Sequence, residues 1–181
     1  MALMLADTGV AAANPLRIER VWKHVDELLA AEVIGLWERS QALPEPAQAA
    51  RRARQAVCVA RNSRGALCGV GTAVVRVLPQ IRQPLYYYRQ FFAPEIRGQQ
   101  QAVPFLNHAR DVLEAYNASL PVPESLGVLL ELENQELVGR YPRAHEPAAD
   151  STFIGYSPRG LQLRVSYFRN ARLLAGGWSV L

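Results

Sequence analysis

The 181-residue sequence has few of the residues on which several common kinds of protein site depend. Its two cysteines, Cys58 and Cys68, are too few for a disulfide framework and lack the spacing of metal ligands. A reduced, cytoplasmic protein is the simplest interpretation. The three histidines are scattered along the chain, so we expect no metal site.

Long apolar runs are also missing. No window approaches the roughly 20 apolar residues of a membrane-spanning helix, so we expect no membrane partner. Residues 1–14 have no basic start, and Asp7 interrupts their apolar run, which is not typical of a signal peptide. We expect a flexible tail over residues 1–14 and one domain over residues 15–181, which is long enough to bury a core.

Lysine is nearly absent, since Lys23 is the only one and arginine carries the net charge of +4. An arginine-rich composition can follow from a GC-rich genome, or it can serve an anionic partner because guanidinium groups bind phosphates and carboxylates as a fork. The cluster of Arg51, Arg52 and Arg54 leaves the same choice between a phosphate site and a solvated helix face. No DNA- or RNA-reading motif is present, which argues against a nucleic-acid partner.

Hydrophobic periodicity predicts an α/β protein with a mixed sheet. Strands are predicted at 16–21, 57–61, 66–78, 85–92, 127–132, 152–157 and 161–168. Helices are predicted after Asp26, after Pro46 and close to Ala102, with a short helix between Glu133 and Tyr141. Pro158 and Gly160 predict the turn of a closing hairpin.

The segment Ala93–Leu106, APEIRGQQQAVPFL, leads from an aromatic strand into a helix. Free N–H groups and a partial positive charge at a helix start bind anions, and pyrophosphate suits them well. Arg97 adds a full charge, and Gly98 lets the backbone approach a ligand closely. A solvent-exposed polar loop is the alternative interpretation.

The sequence resembles the GNAT superfamily of acyl-CoA-dependent N-acetyltransferases. The family's loop reads V-x-P-x-x-R-G-x-G-x-G/A, and Pro94, Arg97, Gly98 and Ala102 match it, while Gln100 stands where a glycine is usual. A second family pattern, N-x-x-A-x-x-[LF]-Y, is matched by its first and last residues, Asn134 and Tyr141, at the same spacing. The resemblance covers roughly residues 16 to 170.

The resemblance implies a GNAT-like fold, a largely antiparallel central sheet flanked by helices with a splayed parallel pair in the middle. It implies acetyl-CoA as co-substrate, with backbone amides of the loop and helix start holding the pyrophosphate and the backbone of Phe91 and Phe92 pairing with the pantetheine arm. Asn134 would hydrogen-bond that arm or order the loop, and Tyr141 would protonate the leaving thiolate as a general acid. The cofactor-binding residues implied are Phe91, Phe92, Arg97, Gly98, Gln99, Gln100, Gln101, Ala102 and Asn134.

Glu131 and Glu133 lie two residues apart on a predicted strand and therefore point to one face. Two carboxylates on one face attract a cationic amine, and crowding raises the pKa of one of them, which suits a proton relay. Ordinary surface charge is the alternative.

The function that we expect is acetyl transfer from acetyl-CoA to an amine by direct attack, with Tyr141, Glu131 and Glu133 as catalytic residues. The acceptor stays open between a small molecule and a protein amine. A GNAT-fold binding protein without catalysis is the main alternative, and a nucleic-acid binder ranks last. Members of the family often form dimers through sheet edges, so the resemblance is also compatible with a homodimer.

Overall fold

The computed structural model describes residues 16–97, 100–133, 138–139 and 141–173. The strands are β1 (Arg17–Arg20), β2 (Ala56–Arg61), β3 (Leu67–Leu78), β4 (Gln83–Phe92), β5 (Gly127–Leu132), β6 (His145–Glu146), β7 (Ser151–Tyr156) and β8 (Gln162–Tyr167). The helices are α1 (Glu27–Arg39), α2 (Pro46–Ala53) and α3 (Ala102–Ser119), and single 3-10 turns lie at Pro94–Ile96 and Pro147–Ala149.

The strands form one sheet in the order β1-β2-β3-β4-β5-β8-β7-β6. Neighbouring strands run antiparallel except for β4 and β5, which run parallel in the middle of the sheet. The predicted mixed, largely antiparallel sheet with one central parallel pair is therefore confirmed.

Local chemistry places the helix starts where the sequence predicts them. The Asp26 carboxylate accepts the Leu29 N–H at 2.8 Å and caps α1, which satisfies one of the free donors of the first turn. Pro104 lies in the first turn of α3, where its missing N–H costs no helical hydrogen bond. The closing hairpin also forms as predicted, because Gly160 has a φ of 73° in the turn between β7 and β8.

The helices cover both faces of the sheet. Tyr86 and Tyr88 of β4 lie on the face that α3 covers, and Tyr86 packs edge-on to Trp22, which in turn packs against Tyr116 of α3. Tyr87 points to the opposite face, where it belongs to a smaller apolar cluster with Leu85, Leu129, Leu163 and Val165. Trp37 of α1 and Arg52 of α2 line a pocket with Thr72 and Arg89, which lie on the same face as Tyr87, so α1 and α2 lie on this second face.

Two glycines of β3 accept aromatic rings from β4. A Cβ atom at Gly71 would lie 2.5 Å from the hydroxyl oxygen of Tyr88, and one at Gly69 would lie 2.7 Å from the ring of Phe92. Register shifts between β2 and β3 accompany this close packing.

Two predictions fall on other parts of the chain. The tail over residues 1–14 lies outside the described residues, and so does most of the predicted helix between Glu133 and Tyr141. Among the helices that are described, none is long and apolar enough to cross a membrane.

Candidate active site

The central parallel pair opens into a gap. Strands β4 and β5 pair through Tyr86–Val128, Tyr87–Leu129 and Tyr88–Leu130, and then the ladder ends. Beyond that point, among the described strands, β4 continues to Phe92 paired only with β3, and β5 continues to Leu132 paired only with β8. The predicted divergence of these strands is therefore present.

A cleft of about 470 Å³ occupies the gap. Its walls come from the ends of β4 and β5, the first turns of α3, the segment before β7, and Arg164 of β8. Seven of the predicted site residues line it: Phe91, Phe92, Arg97, Ala102, Glu131, Glu133 and Tyr141. Gln100 and Gln101 lie in the turn just before α3, outside this lining, while Gly98, Gln99 and Asn134 lie outside the described residues.

The edge of β4 that faces the gap directs backbone groups toward the cleft. Ala93 N–H donates to Cys68 O at 2.8 Å, and hydrogen bonds in an antiparallel ladder involve alternate residues. Phe91 therefore directs its backbone groups to β3, whereas Gln90 and Phe92 direct theirs toward β5 and the cleft. This alternation shifts the expected backbone pairing with a bound molecule from Phe91 to Gln90, and leaves Phe91 to contribute its side chain.

Side chains connect this edge to the start of α3. Tyr88 donates its hydroxyl to Gln90 Oε1 at 3.2 Å, and Gln90 Nε2 donates to Ala102 O at 3.2 Å. Arg97 Nε donates to Phe92 O at 3.1 Å, and its guanidinium lies 5.3 Å from the centre of the Phe91 ring. A positive charge is thereby held at the end of β4, beside the cleft.

The first turn of α3 keeps donors for a ligand. Gln101 stands at the N-cap but makes no side-chain capping hydrogen bond, and Ala102 and Val103 of the first turn line the cleft. Gln100 has a φ of 56°, in the left-handed region that glycine favours. The backbone therefore adopts a glycine-like conformation at the position where the resembled motif usually has a glycine.

Tyr141 lines the cleft from a segment that a buried arginine fixes. Arg164 is 1% exposed and donates to the backbone carbonyls of Tyr141 at 3.3 Å, Ala144 at 3.3 Å and Arg143 at 2.5 Å. It also donates to Ser151 Oγ at 3.3 Å. One side chain thus satisfies several carbonyls of the segment that carries Tyr141, a role that sequence patterning did not reveal.

Glu131 and Glu133 lie on one face, as predicted, and Arg159 bridges them. Arg159 Nη2 donates to Glu131 at 2.6 Å and to Glu133 at 2.9 Å, while the Tyr87 hydroxyl donates to Glu131 at 2.5 Å. Burial favours a higher pKa for Glu131, but hydrogen bonds from Arg159, Ser157 and Tyr87 outweigh it and lower its pKa to about 2. The expectation that crowding raises a carboxyl pKa is therefore wrong for Glu131, because the sequence did not show that Arg159 supplies the opposite charge.

A smaller pocket of about 140 Å³ adjoins the cleft on the face of α1 and α2. Arg89, Gln90, Phe91 and Glu133 line both spaces. Arg52 of α2 lines the smaller pocket and is half-buried, whereas Arg51 and Arg54 are exposed. Arg51 and Arg54 therefore lie on a solvated helix face, as the sequence favours, whereas Arg52 does not.

Solved structures share this architecture. The chain superposes with a TM-score of 0.53 at 14% identity on a GNAT superfamily phosphinothricin acetyltransferase from Sinorhizobium meliloti in complex with AcCoA, covering 90% of this chain and 95% of that one. It superposes with a TM-score of 0.50 at 14% identity on a chimera of the spermidine N-acetyltransferase SpeG from Vibrio cholerae and hSSAT, over 83% and 93% of the two chains. A mutant of the AtaT toxin bound to the C-terminus of the antitoxin AtaR and to acetyl-CoA gives a TM-score of 0.50 at 13% identity, again over 83% and 93%.

At these identities the likeness shows the fold, and the chain has the GNAT fold. No protein-family model matches the sequence, and no curated protein matches it.

Proposed function

We propose that this protein is a GNAT-family N-acetyltransferase that transfers an acetyl group from acetyl-CoA to an amine by direct attack. The observation that carries the proposal is the early end of the β4–β5 ladder, which leaves a free strand edge beside a helix start. Two of the structurally similar proteins were solved with acetyl-CoA, which supports the same donor here.

The residues around the cleft fit such a donor. The first-turn N–H groups of α3 and the guanidinium of Arg97 would hold the pyrophosphate, together with Gln100 and Gln101 before the helix and with Gly98 and Gln99. The backbone of Gln90 and Phe92 would pair with the pantetheine arm as a neighbouring strand does, and Asn134 would add a hydrogen bond. An N–H aimed at the thioester carbonyl would stabilise the charge that develops there.

Tyr141 would act as the general acid that protonates the departing thiolate. It lines the cleft, and Arg164 holds its backbone. Of the two carboxylates, Glu133 is the better candidate to accept the proton of the attacking amine, because its side chain is 59% exposed. Glu131 would instead fix Arg159 and Tyr87, since its pKa of about 2 makes it a weak base.

A pair of measurements tests the donor site and the chemistry separately. Calorimetry should give a coenzyme A affinity in the micromolar range, about 8 kcal/mol. Tyr141→Phe should lower kcat by roughly 100-fold with an amine panel and leave coenzyme A affinity unchanged, because it removes only a proton donor.

The two readouts also separate the alternatives. Coenzyme A binding without turnover of any amine would indicate a GNAT-fold binding protein without catalysis. Absence of coenzyme A binding at millimolar concentration would contradict the proposal itself. Equal turnover by Tyr141→Phe and the wild type would remove Tyr141 from the mechanism.

A further inference from the structure

The smaller pocket next to the cleft brings two guanidinium groups together. Arg52 comes from α2 and Arg89 from β4, and both line the same space of about 140 Å³. Two positive charges that share one small pocket repel each other, and an anion between them removes the repulsion. We therefore expect these two arginines to be close together because they bind an anion.

Both arginines keep donor capacity for a ligand. Arg89 Nε is buried and has no hydrogen-bond partner among the described residues, while its guanidinium lies 4.3 Å from the centre of the Tyr87 ring. Neither Arg52 nor Arg89 takes part in an ion pair with a carboxylate among the described residues. Burial, and then the positive charge of Arg89, lower the pKa of Arg52 from its ordinary value, and the negative charge of Glu133 opposes them only in part.

One carboxylate, Glu133, lines the pocket with the two arginines. Glu131 and Glu133 both accept from Arg159. Arg76 adds another positive charge on the same face, 4.7 Å from the centre of the Tyr87 ring. Two arginines and one carboxylate therefore line the pocket, and that carboxylate is shared with Arg159, so positive charge is in excess.

We propose that Arg52 and Arg89 bind an oxyanion of the acceptor, so that the substrate is a small amine carrying a carboxylate or a phosphonate on the same molecule. This inference rests on the acetyl transfer proposed above and narrows its acceptor. Arginine forks match the planar carboxylate and the phosphonate oxygens through paired N–H donors.

The position of the pocket makes the assignment useful for catalysis. Arg89, Gln90, Phe91 and Glu133 line both the pocket and the cleft, so the two spaces join at the gap between β4 and β5. An acceptor held by its oxyanion at the arginines directs its other end toward that gap. Binding energy from the anionic end then orients the amine, which is how remote contacts raise the rate.

The first experiment compares acceptors that differ only in the anion. Acetyl-CoA consumption is measured with α-amino acids against their amides, and with 2-aminoethylphosphonate against propylamine. We expect kcat/KM to be at least tenfold higher for the anionic member of one pair. The pair that shows this preference identifies whether the acceptor carries a carboxylate or a phosphonate. Equal or better turnover of the amides, propylamine or spermidine would overturn the proposal.

The second experiment assigns the preference to residues. In Arg52→Gln and in Arg89→Gln the preference should fall at least tenfold, and Arg89→Lys should restore part of it because it keeps the charge but not the fork. Arg51→Gln is the matched control, since Arg51 lies on the same helix, is exposed and lies outside the pocket lining. A preference that survives both Arg52→Gln and Arg89→Gln would refute the assignment.

A binding readout covers the case in which no amine of the panel reacts. With saturating coenzyme A present, inorganic phosphate at constant ionic strength should raise the Tm of the wild type and of Arg51→Gln in a saturable way. The rise should be lost in Arg52→Gln and Arg89→Gln, and its absence in the wild type would refute the anion site. Coenzyme A calorimetry on the wild type and on Arg52→Gln reports on the donor site independently. Loss of coenzyme A binding in the wild type would contradict the proposed acetyl transfer, whereas coenzyme A binding without a phosphate effect would contradict only the anion site.

Discussion

At the residue scale, Glu131 shows how a partner from distant sequence decides what a carboxylate does. Its position two residues before Glu133 predicted a shared face, and the shared contact with Arg159 confirms it. The sequence could not reveal Arg159, because that residue lies in the turn of another hairpin and no periodicity connects the two. Glu131 and Glu133, which suggested a proton relay, are therefore joined to Arg159 in an ion cluster.

The pH dependence of stability should report this cluster. The pKa of Glu131 is about 2 in the folded protein, below the ordinary value of 4.5. Because the pKa of Glu131 is lower in the folded state, its ionised form stabilises the fold at pH values above the ordinary pKa. This contribution is lost as the pH falls from the ordinary pKa through the folded pKa. Arg159→Gln should therefore lower the free energy of unfolding at pH 6, and the difference from the wild type should shrink between pH 4.5 and pH 2.

Urea denaturation across that pH range measures the effect. Arg64→Gln serves as a control, because Arg64 is exposed in the turn between β2 and β3. The control should show a small difference that does not vary with pH. A difference for Arg159→Gln that stays constant down to pH 2 would contradict the lowered pKa.

At the element scale, one side chain of β8 binds several carbonyls of residues 141–144. Arg164 belongs to a strand with alternating apolar residues, and the pattern predicted the strand but not the burial of a charged side chain at its centre. Its donors reach the carbonyls of Tyr141, Arg143 and Ala144, so a segment with little regular structure obtains its hydrogen bonds from β8.

Arg164→Met should lower the free energy of unfolding by about 2 kcal/mol or more, because the carbonyls of Tyr141 and Arg143 lose their donor and each unsatisfied buried group costs about 1–3 kcal/mol. The folded fraction should also lose turnover, since Tyr141 is no longer fixed. Arg143→Met is the matched control and should change stability by less than about 0.5 kcal/mol, since Arg143 is exposed in the same segment. Equal destabilisation by both variants would count against the proposed tether.

Most of the strands and helices were predictable because their signals are local. Strand alternation, the Asp26 cap and Pro104 in the first turn of α3 are local signals, and each one agrees with the structure. The pocket of Arg52 and Arg89 was not predictable, because it depends on how α2 sits against β4. The sequence showed only that Arg51, Arg52 and Arg54 are close together, not which of them is half-buried.

At the scale of the whole molecule, the sheet consists of two halves that meet through a short ladder. β1 to β4 form one half and β5 to β8 the other, with three paired positions between them. A molecule bound in the gap would act as a further connection between the halves. Its binding should therefore stabilise the fold as well as fill the cleft.

Hydrogen exchange should resolve this connection residue by residue. In the free protein the amides of Gln90 and Phe92 should exchange faster than that of Phe91, which already faces β3. Saturating coenzyme A should slow exchange at Gln90 and Phe92 and change Phe91 much less. Uniform protection along β4, or none, would argue against a strand-like mode of binding.

The two glycines of β3 carry a consequence for the cleft, which they do not line. The Tyr88 and Phe92 rings occupy the room that side chains at Gly71 and Gly69 would need. A methyl group on β3 would force these rings sideways, and both residues border the opening. In related sequences, we expect a larger residue at position 69 or 71 only together with a smaller side chain at position 92 or 88, respectively. The width of the cleft opening therefore depends on residues of β3 that do not line it.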